Sequence, residues 1–271
     1  DAFLEGRYLW GRRDDESLRK AAIAFERAVT REPTYARAHA ALGDALALRQ
    51  GGADLYARAR QHADECLRLD PRLADCHLVL ALIAPHDLDW DRTDAEYRQA
   101  LALEPRSALA LHRYGQILAL WGQFDRGIEK LLQARELDPA SPILAVDLAA
   151  SYWFARRPRE AEATLRPVIE REPDFALAHV YLGLALFDLG RTDAALAELR
   201  RFTELDRTPV ALGAYGWALA RSGDRLRAGE LLGEIQAAPA EAGGRDFGLA
   251  AVHVGLGEMA EWPPSDENIA Y

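Results

Sequence analysis

An all-α protein, a right-handed solenoid of about seven helix pairs closed by one further capping helix, is the fold class that three features of this sequence predict. An acidic residue followed by proline recurs in Leu69-Asp70-Pro71, Leu103-Glu104-Pro105, Leu137-Asp138-Pro139 and Arg171-Glu172-Pro173, at successive intervals of 34 residues. Small or apolar residues keep the same step from Cys66 through Ala100, Ala134 and Val168 to Phe202, and from Ala81 through Gly115, Ala149 and Gly183 to Gly216 with a slip of one residue at the end, while Ala28 and Gly43 stand 38 residues before the first of each series. Between these markers the apolar residues fall at helical spacing, as in Ala21, Phe25 and Ala28. A fixed period of this length means a stack of like units, each too small to bury its own apolar face.

Each unit is read as two helices. Proline lacks an N–H and disfavours helical geometry in the residue before it, so the acidic-Pro step ends the second helix of a pair. First helices are expected near 2–12, 34–48, 73–85, 107–121, 141–155, 175–189 and 208–222. Second helices are expected near 15–31, 54–69, 91–103, 125–137, 159–171, 192–205 and 225–237. Arg31-Glu32-Pro33 lies 38 residues before Pro71, and the loop Gln50-Gly51-Gly52 accommodates the four extra residues. Pro167 interrupts one second helix and is expected to kink it. An unpaired helix near 245–256 caps the array; residues 1–260 read as one domain and 261–271, with Pro263-Pro264, as a flexible tail.

The 34-residue pattern resembles the tetratricopeptide repeat over roughly residues 2–237. Leu42-Gly43, Tyr114-Gly115, Leu182-Gly183 and Tyr215-Gly216 match its first helices, and Ala21, Phe25, Ala28 and Pro33 form the fullest second-helix copy. Thr93 and Gly127 stand where that family has Ala, and Arg207 where it has Pro. Three strings carry a narrower resemblance. They are Gly6-Arg7-Tyr8-Leu9-Trp10 with Ser17-Leu18-Arg19-Lys20-Ala21, Asp89-Trp90-Asp91 with Glu96-Tyr97-Arg98, and Tyr152-Trp153-Phe154-Ala155-Arg156-Arg157. They are similar to the repeat regions of bacterial multidomain signalling proteins, where such a region is joined to a winged-helix, adenylate cyclase or serine/threonine kinase domain. That resemblance implies a sensory or regulatory module.

Composition narrows the function classes. The 271 residues carry 33 Lys/Arg against 43 Asp/Glu, a formal charge of −10, so phosphate backbones and anionic membrane surfaces repel the chain as a whole. No nucleic acid and no membrane is expected as a partner of this segment. Two cysteines, Cys66 and Cys76, are too few for a disulfide-rich scaffold and form no CxxC motif. They fit a reducing compartment, so the expected location is cytoplasmic, or periplasmic if a membrane-spanning segment precedes residue 1.

Function is expected on the wall lined by the first helices, the surface on which stacked hairpins bind extended partners. Ile143 to Ala155 carries only Asp147 and Ser151 as polar residues, and Ala176 to Leu189 only His179 and Asp188. Repeat geometry aims Ile143, Val146, Ala150, Trp153 and Phe154, then Leu177, Val180, Leu184 and Phe187, then Val210 and Trp217 at the groove, with His112 and Gln116 one repeat earlier. The strip suits an apolar peptide or helix from a protein partner; self-association through the same strip, and coverage by neighbouring helices or the tail, are the alternatives. The carboxylate-clamp and asparagine-ladder schemes of the resembled family need Asn on the first helices, and Asn268 is the only asparagine.

No catalytic constellation is present, neither a GxSxG elbow nor a Gly-rich phosphate loop, so no enzyme activity and no cofactor are expected. His62, Cys66, Cys76 and His77 offer four zinc-type donors on adjacent helices, against which Cys66 holds a small-residue packing position and His77 a bulky one shared with His39 and His179. Asp87-Leu88-Asp89-Trp90-Asp91 imitates the start of a calcium loop, but Arg92 and Arg98 replace the required Gly and Glu. No metal is therefore assigned.

Overall fold

A computed structural model of the chain describes residues 2–12, 14–49, 52–239 and 242–258. The expected tail, 261–271, lies outside these residues. Among them are fifteen α-helices, one short 3₁₀ helix and no strand. The all-α class of paired helices is thus the one observed. Packing falls into two units, one ending at Tyr114 and the other beginning at Gly115. The repeat spacing runs through this point without a mark.

The first unit contains α1 (Ala2–Trp10), α2 (Asp15–Arg31), α3 (Ala36–Leu48), α4 (Ala53–Leu69), α5 (Ala74–Ile83), the 3₁₀ stretch Ala84–Asp87, α6 (Trp90–Leu103) and the start of α7 (Ala108–Leu120). Its core holds Phe25, Leu42, Leu46, Val79, Leu80 and Ile83, and Phe3 packs on Phe25 with ring centroids 5.7 Å apart. The second unit takes the rest of α7, then α8 (Phe124–Leu137), α9 (Pro142–Phe154), α10 (Pro158–Arg171), α11 (Ala176–Asp188), α12 (Thr192–Leu205), α13 (Pro209–Ser222), α14 (Arg225–Ala237) and α15 (Arg245–Gly255). Pro167 lies inside α10, which is helical throughout its length.

Helix ends repeat in both units for one physical reason each. The acidic residues Glu32, Asp70, Glu104, Asp138, Glu172 and Asp206 close the second helices with φ between −143° and −132° and their N–H bonded back four residues. Proline enforces that extended geometry on the residue before it, yet Asp206, followed by Arg207, adopts it too. From α5 onward the first helices end differently, whereas α3 stops at Arg49 with φ −78°. Leu88, Gly122, Arg156, Gly190 and Gly223 all have positive φ. The next residue's N–H then reaches back five residues: Gln123 to Leu118 O (2.9 Å), Arg157 to Tyr152 O (2.8 Å) and Arg191 to Leu186 O (3.0 Å). This left-handed stop satisfies the last carbonyls, and glycine takes it without strain where Leu88 and Arg156 do not.

Close approach explains the small residues. A Cβ on Gly183 would lie 2.6 Å from Cγ of Leu199, so only glycine lets α11 sit this near α12. Thr93, in place of Ala, is fully buried and stays satisfied by donating its hydroxyl to the Asp89 carbonyl at 2.9 Å. In the second unit α15 crosses α13 at a glycine pair, where a Cβ on Gly213 would lie 2.5 Å from Cα of Gly248. The cap therefore lies directly on the last first helix.

Candidate functional site

The predicted apolar strip separates in the second unit into a buried floor and an exposed margin. Val146, Trp153, Val180, Leu184 and Trp217 belong to the core of that unit, with Trp153 only 5% exposed. As side chains to be reached by a partner these five are corrected: adjacent first helices approach closely enough to bury residues that repeat phase alone aims outward. Val210 and Trp217 lie under the cap. A Cβ on Gly244 would strike Val210, and one on Gly255 would lie 2.8 Å from the Trp217 carbonyl. Ala150, Phe187 and Val210 are half-buried, and Phe187 packs on Trp217 with ring centroids 4.7 Å apart.

What remains accessible is Ile143 (38%), Leu177 (40%) and Phe154 (41%). Ile143 and Leu177 are 34 residues apart, each the second residue of its helix. Phe154, the last residue of α9, repeats Leu120 at the end of α7, which is also exposed. Phe154 lies nearly parallel to Phe124, with centroids 6.4 Å apart, and meets Trp153 edge-on at 4.9 Å. Two apolar margins therefore bound a floor of Val146, Val180 and Trp153.

Polar groups on this strip are few and held. The Trp153 indole N–H donates to Asp188 at 2.7 Å. Burial pushes the Asp188 carboxyl above the usual range, while the Trp153 hydrogen bond and the charge of Arg156 oppose the rise. Gln116 is half-buried and donates to Asp147 at 3.0 Å; His112 is half-buried one turn before it.

The first unit has a different polar arrangement, which the repeat pattern does not reveal. Trp10 on α1 donates to Asp44 at 2.6 Å, and Arg113 on α7 reaches Asp44 with both terminal nitrogens, the second at 3.1 Å. Asp44 and Arg113 are both buried, and burial opposes the guanidinium charge while Asp44 restores it. Tyr97, buried beside this pair, has its phenol pushed up to about 12 by burial. Asp75 is half-buried nearby, and its carboxyl is raised by burial, then by Glu104 and Asp44. The sequence signal was present only as an Asp directly after Leu42-Gly43 and an Arg directly before Tyr114-Gly115.

The four zinc-type donors do not converge on one point. Cys66 and Cys76 are joined as a disulfide, His62 faces His39 at 3.0 Å, and His77 faces Glu96 at 2.7 Å. His179 repeats the last arrangement, between Glu198 at 2.6 Å and the Pro173 carbonyl at 2.9 Å. These histidines tie the start of a first helix to the second helix and, at His39 and His179, to the preceding turn. Of the calcium-like loop, Asp89 caps α6 by accepting the Arg92 N–H, and Asp87 pairs with Arg60. Among the described residues no group of three or more metal-binding side chains converges, and no helix is long and apolar enough to cross a membrane.

Comparison with known proteins agrees with this geometry. A family model described as tetratricopeptide repeat matches residues 146–208, the stretch that contains most of the apolar strip. The type IV pilus assembly protein PilF of Pseudomonas aeruginosa is 33% identical over 72 residues, which is 27% of this chain and 29% of that protein. The match thus spans less than a third of the curated relative. The solved structure of Pseudomonas aeruginosa pilF superposes with a TM-score of 0.66 at 18% identity, over 85% of this chain and 100% of that one. PilW, described as a widely conserved type IV pilus biogenesis factor, superposes with a TM-score of 0.63 at 22% identity, over 73% of this chain and 91% of its own. At these identities the superpositions speak for the fold.

Proposed function

We propose that the chain is a non-catalytic protein-interaction scaffold whose second unit receives the apolar face of a peptide or helix between the margins Ile143/Leu177 and Leu120/Phe154. One observation carries this reading: equivalent positions on successive first helices leave large apolar side chains in water, above a floor that is already packed. Folding alone rewards burial of such residues, so a repeated pair left exposed marks a surface kept for association. The formal charge of −10 favours neutral or basic partners over acidic ones.

The sensory or regulatory setting within a larger bacterial protein rests on the resemblance of the Gly6–Trp10, Asp89–Asp91 and Tyr152–Arg157 strings. The names of the relatives add a second setting, the assembly of a multiprotein surface structure. In both, the work of this chain is to hold another polypeptide.

The test is fluorescence anisotropy with a labelled amphipathic helical peptide bearing leucines along one face and lysines along the other. Saturable binding that drops at least about tenfold in a Phe154→Ser/Leu177→Ser variant supports the reading, since truncating a central apolar anchor costs upward of 1.4 kcal/mol. Light scattering at two protein concentrations runs beside it. A mass that rises with concentration in the wild type and not in the variant transfers the strip to self-association.

A further inference from the structure

The two cysteines occupy a pair of positions that two other repeats fill with alanine. Cys66 lies in the last turn of α4 and Cys76 in the first turn of α5, with their Cα atoms 5.7 Å apart and the sulfurs bonded. Ala28 and Ala38, and likewise Ala100 and Ala110, stand ten residues apart in the same two places, and all are buried. These three junctions thus place two small side chains where a second helix meets the next first helix, and at Cys66 and Cys76 the spacing is within bonding distance. Both cysteines are 0% exposed, enclosed by Ala40, Leu67 and Leu73.

We propose that Cys66 and Cys76 are oxidised in the working protein, that their bond forms while the first unit folds, and that folding takes place in an oxidising compartment. The acceptor is a disulfide-bearing oxidant of the thiol–disulfide exchange class. The thiolate of one cysteine attacks the oxidant's S–S bond, forming a mixed disulfide and expelling one thiolate. The second cysteine's thiolate then displaces the other oxidant sulfur, closing Cys66–Cys76. Two protons and two electrons leave the chain, and the oxidant is reduced to two thiols. Neither sulfur is reachable once α4 and α5 have packed, so exchange precedes that closure. The same burial withholds the finished bond from reductants, which separates a structural bond from a switch. A reducing cytoplasm would leave two free thiols at this position, and between the cytoplasm and the periplasm the bridge selects the periplasm.

The bond lies where the first unit departs most from regular repeats, between the four-residue insertion before α4 and the 3₁₀ stretch Ala84–Asp87 after α5. Linking residues that are ten apart in sequence restricts the unfolded chain and shifts the unfolding equilibrium of this unit by about 100-fold.

The experiment takes full chain from the cells that carry its gene, denatures it directly into iodoacetamide and reads the intact mass. The expected result is no adduct before reductant and two after it. Two adducts before reductant overturn the proposal. In parallel, amide hydrogen exchange in α3 to α5 compares oxidised wild type, reduced wild type and a Cys66→Ala/Cys76→Ala variant that carries the residues found at Ala100 and Ala110. Opening of this region is expected to increase about 100-fold in both the reduced protein and the variant. Equal opening in all three overturns the role assigned to the bond.

Discussion

Each unit contains a tryptophan that donates its indole N–H to an aspartate on the next first helix, Trp10 to Asp44 and Trp153 to Asp188, and the two aspartates end differently. Asp44 is buried and receives both terminal nitrogens of Arg113. Asp188 stays exposed at the end of α11, its carboxyl raised by partial desolvation next to the Trp153 indole. One contact has thus been elaborated into a closed internal network in the first unit. In the second it sits at the edge of an apolar surface left open. The first unit closes this contact internally with a buried arginine, and the second leaves it on an exposed aspartate.

The largest expected effect breaks the closed network. Arg113→Ala leaves the Asp44 charge buried without the Arg113 guanidinium and is expected to destabilise the first unit by about 3–5 kcal/mol, whereas Asp188→Ala, which strands only an indole N–H, costs about 1–3 kcal/mol. Urea unfolding of the two variants measures both, and equal costs would erase the contrast between the units. Next, Trp153→Ala is expected to lose about 3–5 kcal/mol as a core residue, while Phe154→Ala stays within about 1 kcal/mol of the wild type and loses peptide binding. A large stability loss in Phe154→Ala would move the margin into the core.

Most helix ends were legible in the sequence because they carry a local chemical signal. The acidic-Pro step sets the backbone of its own residue, so the second helices close where the spacing places them. The left-handed stops were legible where glycine marks them and hidden at Leu88 and Arg156, whose side chains do not advertise positive φ. The Asp44–Arg113 pair joins residues 69 apart, and no local pattern reports a partner two repeats away. The strip was legible as a phase but not as a surface. A 34-residue period says which way Val146, Trp153 and Leu184 point but not how closely α9 and α11 approach, nor that Gly213 and Gly248 bring the cap over Val210 and Trp217.

Two smaller effects sharpen the account of the second unit. Arg156→Gly relieves a left-handed residue that Gly122 and Gly190 hold without cost, and is expected to stabilise by about 1 kcal/mol in thermal unfolding. Asp188 supplies the smallest effect, a pH dependence. Its folded-state pKa lies above its ordinary value, so the folded chain keeps this proton to higher pH than the unfolded chain does. Stability therefore falls as pH rises from the ordinary aspartate range through the raised value. Asp188→Asn is expected to flatten that part of a stability–pH profile, and an unchanged profile would show that Asp188 titrates normally in the folded unit.

Amide hydrogen exchange of the whole chain with and without a saturating apolar-faced peptide tests the division between units most directly. The account predicts slowed exchange confined to α9 and α11, together with the end of α7, and no change in α1, α3 and α5. Slowed exchange on the first-unit helices, or none anywhere while the peptide is bound, would contradict it.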